Sequence, residues 1–539
     1  MGGHLFVLRG DLTKLHCSAV LIPCDSEWRV VEDHWGRFLP EGCLGRADGW
    51  GWAPFMRGGE GRFTDVVTTG DKRVRLVVTA DDDRTDDSPR QTASWVADGV
   101  VEVIADWSER GLPKPTGRIK PLIGLPLVGT GAGGFQRARG VLIHALVPAL
   151  RKAACEHGVD IALVLIDDRD HAAVQAVRKS TDWDEFSRER PGHSVQLGIA
   201  DELGRKAARK ELSLFLGSGV SVPLGVPDWK TLLERMDPEA KEGFGAKEPR
   251  DIASDIEGRI GRPELEQRVV KEVGLSGVAP THMLLAALSV DQSVTTNYDT
   301  AYDRALDTTL GEDKFRVLTG QLALQPNPWL LKYHGCINQP NTIVITREDY
   351  RRLQNEHGAL QSIVESLMLT SHLMFVGFSM ADADFLDAAT RVDAVRALAG
   401  KQDPRYVATV LALHPQAVMA RAGFKVVSML EDPDEQSAAR ILEIFLDRVS
   451  WAATTEGPAA STYLLHPDYE DLFADEESTV ILRKQLEKLV NDVGARSPVW
   501  GNRGWKQVAA LLSQLGDRRF GDKSHLSHCR PSESRLMRD

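Results

Sequence analysis

Short apolar runs alternate with amphipathic stretches along most of the chain, and this pattern predicts an α/β protein. In the first third the apolar runs are LFVLRG, SAVLIPC, VRLVVTA, PLIGLPLVG and IALVLID. Helical patterns such as Ser94–Trp107 and Ala138–His157 lie between them. In the middle of the chain the runs are LSLFLGSGVS, SVTTNYD, PWLLKYHG, HLMFVGFS, RYVATVLAL and FKVVSML. Strands without a polar face that alternate with helices indicate parallel sheets covered on both sides.

Polar stretches divide the chain into three predicted regions. Residues 1–180 form a first α/β region and residues 195–452 a second, with the polar segment Ser180–His193 between them. Asp237–Arg262 is charged and contains glycine, so we expect it to belong to a small helical insertion in the second region. The run AATTEGPAAST predicts a linker, and residues 460–539 predict a helical C-terminal region with a mobile tail.

Composition narrows the class of protein without identifying its chemistry. Hydrophobic residues make up 42% of the chain and charged residues 26%, as in ordinary globular proteins. The net charge of -12 argues against an extended nucleic-acid surface. Neither a signal peptide nor a run of about 20 apolar residues is recognisable, so we expect no membrane span and a cytoplasmic location. The six cysteines form no C-x-x-C pair, which fits isolated thiols in a reducing cytosol.

Four strands of the middle region end in glycine or polar residues. These ends are Gly217-Ser218-Gly219-Val220-Ser221, Thr296-Asn297-Tyr298-Asp299, His334-Gly335 and Gly377-Phe378-Ser379. In an open parallel sheet the carboxyl ends of the strands line one crevice, where ligands bind. Gly217 and Gly219 would allow a tight turn close to a pyrophosphate, and Ser221 can donate a hydrogen bond to phosphate.

The order of the motifs G-S-G-x-S, G-V-P-D-W, T-T-N-Y-D, K-Y-H-G and F-V-G-F-S resembles the SIR2 family. It looks most like the SIR2-like NAD-cleaving domains of bacterial antiphage defence proteins. The resemblance extends from about Leu212 to Ser450 and implies a Rossmann domain that binds NAD as its substrate. It implies that Asn297 and His334 are catalytic and lie at the reacting ribose. The cofactor-binding residues that it implies are Gly217, Ser218, Gly219, Ser221, Asp228, Thr296, Asp299, Gly377 and Ser379.

The chain departs from the protein-deacylating sirtuins after the His-Gly pair. Those enzymes usually carry four zinc-binding cysteines there, whereas Cys336 has no second cysteine near it. Trp229 also stands where sirtuins usually have phenylalanine. We therefore expect no metal, and water rather than acetyl-lysine as the acceptor.

The residue types suit this chemistry, although structural roles stay open for each. A histidine can accept a proton near neutral pH, and the Asn297 amide can orient water or a ribose hydroxyl without adding charge. The alternatives are a core position for His334, helix capping by Asn297 and Asp299, a turn position for Ser221 and simple packing for Trp229.

The first region contains a second set of glycines, after the run PLIGLPLVG. Together with the segment around Asp11 and the strand IALVLID, this set resembles a macro domain, a class that binds ADP-ribose or related nucleotides. The resemblance implies that Asp11 contacts adenine. It implies that Gly129, Gly131, Gly133 and Phe135 surround the diphosphate and the distal ribose. The usual asparagine-rich segment is replaced by PCDS, which argues against hydrolysis by this region, and a plain glycine turn on a scaffold is the alternative.

The sequence thus predicts an NAD glycohydrolase that releases nicotinamide and ADP-ribose, or a cyclic form, and is regulated through the macro-like region. A homo-oligomer is expected, because an enzyme that depletes NAD must stay off until it is triggered. Two alternatives remain: an NAD-dependent deacylase or ADP-ribosyltransferase, and a non-catalytic nucleotide-sensing module.

Overall fold

The structure of the protein is a computed structural model. It contains two largely parallel sheets, one in each predicted α/β region. The structure describes residues 2–39, 50–52, 62–64, 67–69, 72–81, 84, 86–131, 134–184, 193–245, 247–319, 328–356, 358–378, 389–392, 394–395, 408–413, 424–429, 434–473, 477–494 and 503–517. The strands in chain order are β1 (Leu5–Arg9), β2 (Ala19–Asp25), β3 (Arg29–Val31), β4 (Trp50–Trp52), β5 (Val67–Thr69), β6 (Lys72–Ala80), β7 (Leu122–Leu125), β8 (Asp160–Leu165), β9 (Leu212–Leu216), β10 (Gln292–Thr295), β11 (Arg316–Leu318), β12 (Trp329–Lys332), β13 (His372–Val376), β14 (Ala408–Ala412) and β15 (Phe424–Ser428).

Helices connect these strands and cover the sheets. Those within the described residues are α1 (Glu32–Trp35), α2 (Pro89–Arg110), α3 (Arg139–His157), α4 (Asp168–Val177), α5 (His193–Ala208), α6 (Trp229–Met236), α7 (Pro249–Ile260), α8 (Arg262–Val273), α9 (Pro280–Ala287), α10 (Ala301–Leu310), α11 (Arg347–Glu356), α12 (Gly358–Thr370), α13 (Glu435–Glu456), α14 (Glu477–Gly494) and α15 (Arg503–Gln514). Short 3-10 turns include Leu12–Lys14, Phe135–Arg137, Ser218–Leu224 and Pro467–Phe473.

The strand orders confirm the predicted α/β class. The first sheet runs β1-β8-β7-β2-β6-β5 and is parallel except for the antiparallel β5–β6 pair. The second runs β11-β12-β10-β9-β13-β14-β15 and is parallel throughout. Strand β9, which carries the G-S-G-x-S motif at its end, lies in the middle of this sheet between β10 and β13.

One hydrophobic core is shared by the two sheets. Phe6 and Leu8 of β1 pack into the same cluster as Leu214 and Leu216 of β9, whereas the alternate residues of β1 face a separate outer cluster. This division follows from strand geometry, since successive side chains point to opposite faces of a sheet. The two regions are therefore joined by buried apolar surface as well as by the chain.

The predicted helical insertion is present and is formed by three helices. Helices α6, α7 and α8 pack around their own apolar cluster, which includes Leu233, Ile252 and Val269. Asp237–Arg262 therefore belongs to a helical insertion, as predicted, and the insertion also includes residues on both sides of this segment.

The linker predicted for the run AATTEGPAAST is wrong over its first five residues. Helix α13 continues to Glu456, and Ala452 and Thr454 are buried. A Cβ atom added to Gly204 of α5 would meet the Ala452 side chain at 2.5 Å, so the two helices approach closely here. Small residues that look like a linker in the sequence instead permit tight helix packing.

Candidate active site

Strand register brings the four predicted strand ends together. Leu216 of β9 is aligned with Thr295 of β10 and with Val376 of β13, and Thr295 is aligned with Lys332 of β12. Gly217 and Gly377 therefore follow their strands at the same level. Asn297 lies two residues after Thr295, and His334 lies two residues after Lys332, the aligned partner of Thr295. Neighbouring strands are about 4.8 Å apart in a sheet. The four strand ends therefore meet at one edge of the sheet.

Asn297 is held by its amide nitrogen. Its Nδ2 atom lies 3.0 Å from the carbonyl oxygen of Gly217 and 3.5 Å from Ser221 Oγ. Its backbone N–H donates to the Thr295 hydroxyl at 3.0 Å. With the nitrogen engaged in this way, the carbonyl arm of the amide points away from Gly217.

His334 is nearly buried among aromatic rings. Its side chain is 4% exposed, and its ring meets Tyr350 edge-to-face at a centroid distance of 5.3 Å. Tyr350 in turn stacks on Trp229 at 6.0 Å. Trp229 therefore packs within the protein, in agreement with the packing role given for it above. The next residue, Gly335, has φ +86°, and an added Cβ would lie 2.1 Å from the Thr342 carbonyl oxygen, so only glycine fits.

The predicted phosphate-binding glycines pack primarily against each other. A Cβ at Gly219 would lie 2.6 Å from Gly377 Cα, and the Gly219 N–H donates to the Gly377 carbonyl at 2.9 Å. The N–H of Gly217 donates to Val376, and that of Val220 donates to Gly217. The absence of side chains at these glycines thus allows the loops after β9 and β13 to touch.

The hydroxyl of Ser221 makes a hydrogen bond within the protein. Ser221 is fully buried, and its Oγ donates to Asp299 Oδ2 at 3.0 Å. Asp299 also accepts the Ala301 N–H at 3.0 Å, which confirms the predicted capping of α10. Buried polar groups need such partners, so the network fixes the residues that follow β9 and β10.

The remaining predicted site residues are more peripheral. Asp228 caps α6 by accepting the Thr231 N–H at 2.7 Å. Ser218 is exposed and Thr296 half-buried, with the Thr296 N–H donating to Leu216. Ser379 lies outside the described residues.

Three buried polar residues at the site were missed in the sequence analysis. The Thr295 hydroxyl donates to the Leu216 carbonyl at 3.1 Å, and Lys332 Nζ donates to the Asp299 carbonyl and lies 3.2 Å from Asp303. His282 Nε2 lies 3.2 Å from Ser221 Oγ. A lysine within the apolar run PWLLKYHG was the available signal for Lys332, since a buried ammonium needs oxygen partners. His282 is far from the four motifs in sequence, and no local pattern marks it.

The predicted macro-like ligand residues form a turn around Phe135. Gly129 has φ +86°, its carbonyl accepts the Phe135 N–H at 3.2 Å, and Phe135 is buried. Gly131 has open space where a side chain would be. Asp11 accepts hydrogen bonds from the N–H and hydroxyl of Thr13, and so caps the turn Leu12–Lys14. Gly133 lies outside the described residues.

Within the ranges given above, no cluster of three or more His, Cys, Asp or Glu side chains could hold a metal ion. No helix in this part of the chain is long and apolar enough to cross a membrane.

The chain is similar to known proteins over the region of the second sheet. Residues 291–421 match the SIR2-like domain family, and the chain therefore contains a SIR2-like domain. An NAD(+) hydrolase ThsA from Acinetobacter baumannii (strain 532279) is 26% identical over 192 residues, which cover 34% of this chain and 39% of that protein. An NAD(+) hydrolase ThsA from Enterococcus faecium is 28% identical over 180 residues, which cover 32% and 37%.

A solved structure from a study of the mechanism and regulation of Sir2 enzymes is 16% identical. It covers 46% of this chain and 97% of that chain with a TM-score of 0.28. The present chain spans less than half the length of the two curated relatives that it matches.

Proposed function

We propose that this protein is an NAD glycohydrolase that releases nicotinamide and ADP-ribose, or a cyclic form of ADP-ribose. The main support is the position of Asn297 and His334, which follow the aligned ends of the neighbouring strands β10 and β12. The contact between Gly217 and Gly377, which follow β9 and β13, lies beside them. Its similarity to proteins named NAD(+) hydrolase supports the same chemistry.

The proposed reaction breaks the bond between the ribose C1′ and the nicotinamide nitrogen. Nicotinamide leaves with the bonding electron pair and becomes neutral, and a water oxygen bonds to C1′. His334 accepts the proton that the water loses, and Asn297 orients the water or a ribose hydroxyl. In the cyclic alternative a nucleophilic atom of the adenine ring replaces water. Positioning carries much of the rate enhancement in such a step.

The proposed biological role is NAD depletion in antiphage defence, in the cytoplasm. Constitutive activity would harm the host, so we propose regulation by an ADP-ribose-like nucleotide at the macro-like region and by homo-oligomer formation. The shared core between the two sheets supports physical coupling between the regions.

Two single substitutions test the proposed catalytic residues. We expect Asn297→Ala and His334→Ala each to lower NAD cleavage by about 100- to 10,000-fold, because each removes a group positioned at the reacting ribose. Chromatography of nicotinamide and ADP-ribose measures the loss, and the melting temperature verifies folding.

His372→Ala is the matched control. His372 begins β13 at the opposite end of the same sheet, where it lies 2.9 Å from the Thr409 hydroxyl. This variant should keep wild-type activity. Wild-type turnover by a folded His334→Ala protein would remove His334 from the mechanism.

Nicotinamide release without a protein or peptide acceptor would argue against a deacylase, a transferase and a purely sensory module.

A further inference from the structure

A fully buried histidine outside the four strand ends contacts the centre of the site. His282 lies in α9 and is 0% exposed. Its Nε2 atom is 3.2 Å from Ser221 Oγ, and its Nδ1 atom is 3.3 Å from the backbone nitrogen of Ala279. The ring therefore joins the start of α9 to the polar network beside Asn297.

These contacts determine which ring nitrogen carries the proton. The Ala279 N–H can only donate, so Nδ1 accepts and Nε2 carries the hydrogen of the neutral ring. Nε2–H then donates to Ser221 Oγ, which donates its own hydrogen to Asp299 at 3.0 Å. Burial lowers the pKa of His282 to about 4, with Asp299 opposing and Lys332 adding to this effect, so the ring is neutral near pH 7. The result is a directed chain of hydrogen bonds from Ala279 to Asp299.

Ser221 connects this chain to Asn297. A hydroxyl oxygen that accepts one hydrogen bond from His282 keeps a second lone pair, and Asn297 Nδ2 lies 3.5 Å away. The direction of the Ser221 hydroxyl thus decides whether its oxygen or its hydrogen faces the Asn297 amide.

We propose that His282 is a positioning residue for NAD cleavage, which orients Ser221 and thereby holds the Asn297 amide in its reactive direction. The proposal rests on the NAD glycohydrolase function proposed above. His282 acts through Ser221 without touching NAD. Its contact with Ala279 offers a competing explanation, in which it only caps α9.

Two substitutions separate these explanations, because each preserves the hydrogen bond of one ring nitrogen and removes that of the other. In His282→Gln the side-chain amide extends to the place of Nε2 and can still donate to Ser221. In His282→Asn the shorter amide reaches only the place of Nδ1 and can still accept from Ala279. We expect the Gln variant to stay within about five-fold of the wild-type kcat. We expect the Asn variant to lose about 100-fold, with KM for NAD changed less than about three-fold, as for a misplaced catalytic group.

Activity and melting temperature are to be measured together on the full chain. Retention of activity by the Asn variant, or equal losses in both variants with matching falls in melting temperature, would overturn the proposal and leave His282 a structural role. In both cases the wild type still cleaves NAD, so the proposed function stands. A wild type that leaves NAD intact would instead refute the proposed function, and with it the catalytic role of His282.

The hydrogen-bond direction has a readout that needs no activity. NMR of the full-length protein labelled with 15N-histidine, without NAD, should show a neutral Nε2–H ring whose signal is missing in His282→Gln. A ring protonated on Nδ1 would overturn the proposed donation to Ser221.

Discussion

Burial keeps two histidines uncharged in the folded protein. The pKa of His282 is lowered to about 4 by burial, against the opposing charge of Asp299. The pKa of His171 is lowered to about 3 by burial and by the nearby Arg9 and Arg178, with Asp447 opposing. Each ring must lose its proton before it can be buried, and this links folding to pH.

These two histidines should lower the free energy of unfolding as the pH drops below about 6.5. A histidine in the unfolded chain has a pKa of about 6.5. In the folded protein the pKa is about 4 for His282 and about 3 for His171, so between the two values only the unfolded state binds the proton. Each histidine then contributes up to about 1.4 kcal/mol per pH unit. Urea unfolding at several pH values measures the slope, which should become shallower in His171→Gln.

The exposed His34 provides the control for this experiment. His34→Gln should keep the wild-type slope. An equal slope in the wild type and in His171→Gln would contradict the linkage, because only the wild type buries a neutral histidine at position 171.

At the scale of elements, the site depends on two loops that meet through glycines. Gly377 has φ +61°, and an added Cβ would lie 2.6 Å from the Val220 nitrogen. Backbone approach this close is possible only without a side chain. The loops after β9 and β13 therefore hold each other in place at the ends of their strands.

Gly377→Ala should lower the free energy of unfolding by at least about 2 kcal/mol and reduce NAD cleavage. The substitution combines an unfavourable positive φ with a clash against backbone atoms. Gly158→Ala is the matched control: Gly158 has φ +65°, and its added Cβ would meet only the end of Lys120, at 3.8 Å. Denaturant unfolding should show a larger loss at position 377. Equal losses would mean that the loops separate at little cost.

At the scale of the whole molecule, buried ion pairs attach helix α13 to the first sheet. Asp447 accepts from Arg178 Nη2 at 2.6 Å and from His4 at 2.9 Å, and although burial would raise its pKa, these two partners hold the pKa at about 2. On the same helix, Glu443 pairs with Arg118 at 2.7 Å. Thr281 precedes His282 in the chain, and its hydroxyl lies 3.3 Å from Glu443. Helix α9 therefore contacts both this interface and the candidate active site.

Asp447→Asn should destabilise the protein by about 3–5 kcal/mol, because it leaves the buried Arg178 without its full counter-charge. Glu456→Gln is the control on the same helix. The pair between Glu456 and Arg205 is exposed, and such pairs contribute about 0–1 kcal/mol. Comparable small effects in both variants, measured by chemical denaturation, would show that water reaches Asp447.

Binding of a nucleotide at the macro-like region should change NAD cleavage, with a coupling of about 1–3 kcal/mol. Gly131→Glu places bulk and negative charge in open space beside Gly129, so it should block binding without disturbing packing. Calorimetry of full-length Asn297→Ala protein with ADP-ribose and cyclic ADP-ribose, with and without Gly131→Glu, measures the binding. Activity of the single Gly131→Glu variant measures the coupling. Unchanged binding and regulation would leave this region as a scaffold.

Much of the fold could be predicted because strands and helices have distinct apolar periods. The buried strands β9, β10, β12 and β13 were all predicted, and each ended near its glycine or polar motif. The four three-residue strands β3, β4, β5 and β11 were missed, since so short a segment shows no period. The end of α13 was misread because small residues at a helix contact resemble a linker.

By itself the sequence determined the α/β class, the positions of the main strands and the chemistry available at their ends. These are local properties, encoded in apolar runs and in the residues that terminate them. Only the tertiary structure decided the partners: Ser221 with His282 and Asp299, Gly219 with Gly377, and Asp447 with Arg178. Such pairs join residues far apart in the chain. Their formation depends on which strands become neighbours and on what burial then requires of each polar group.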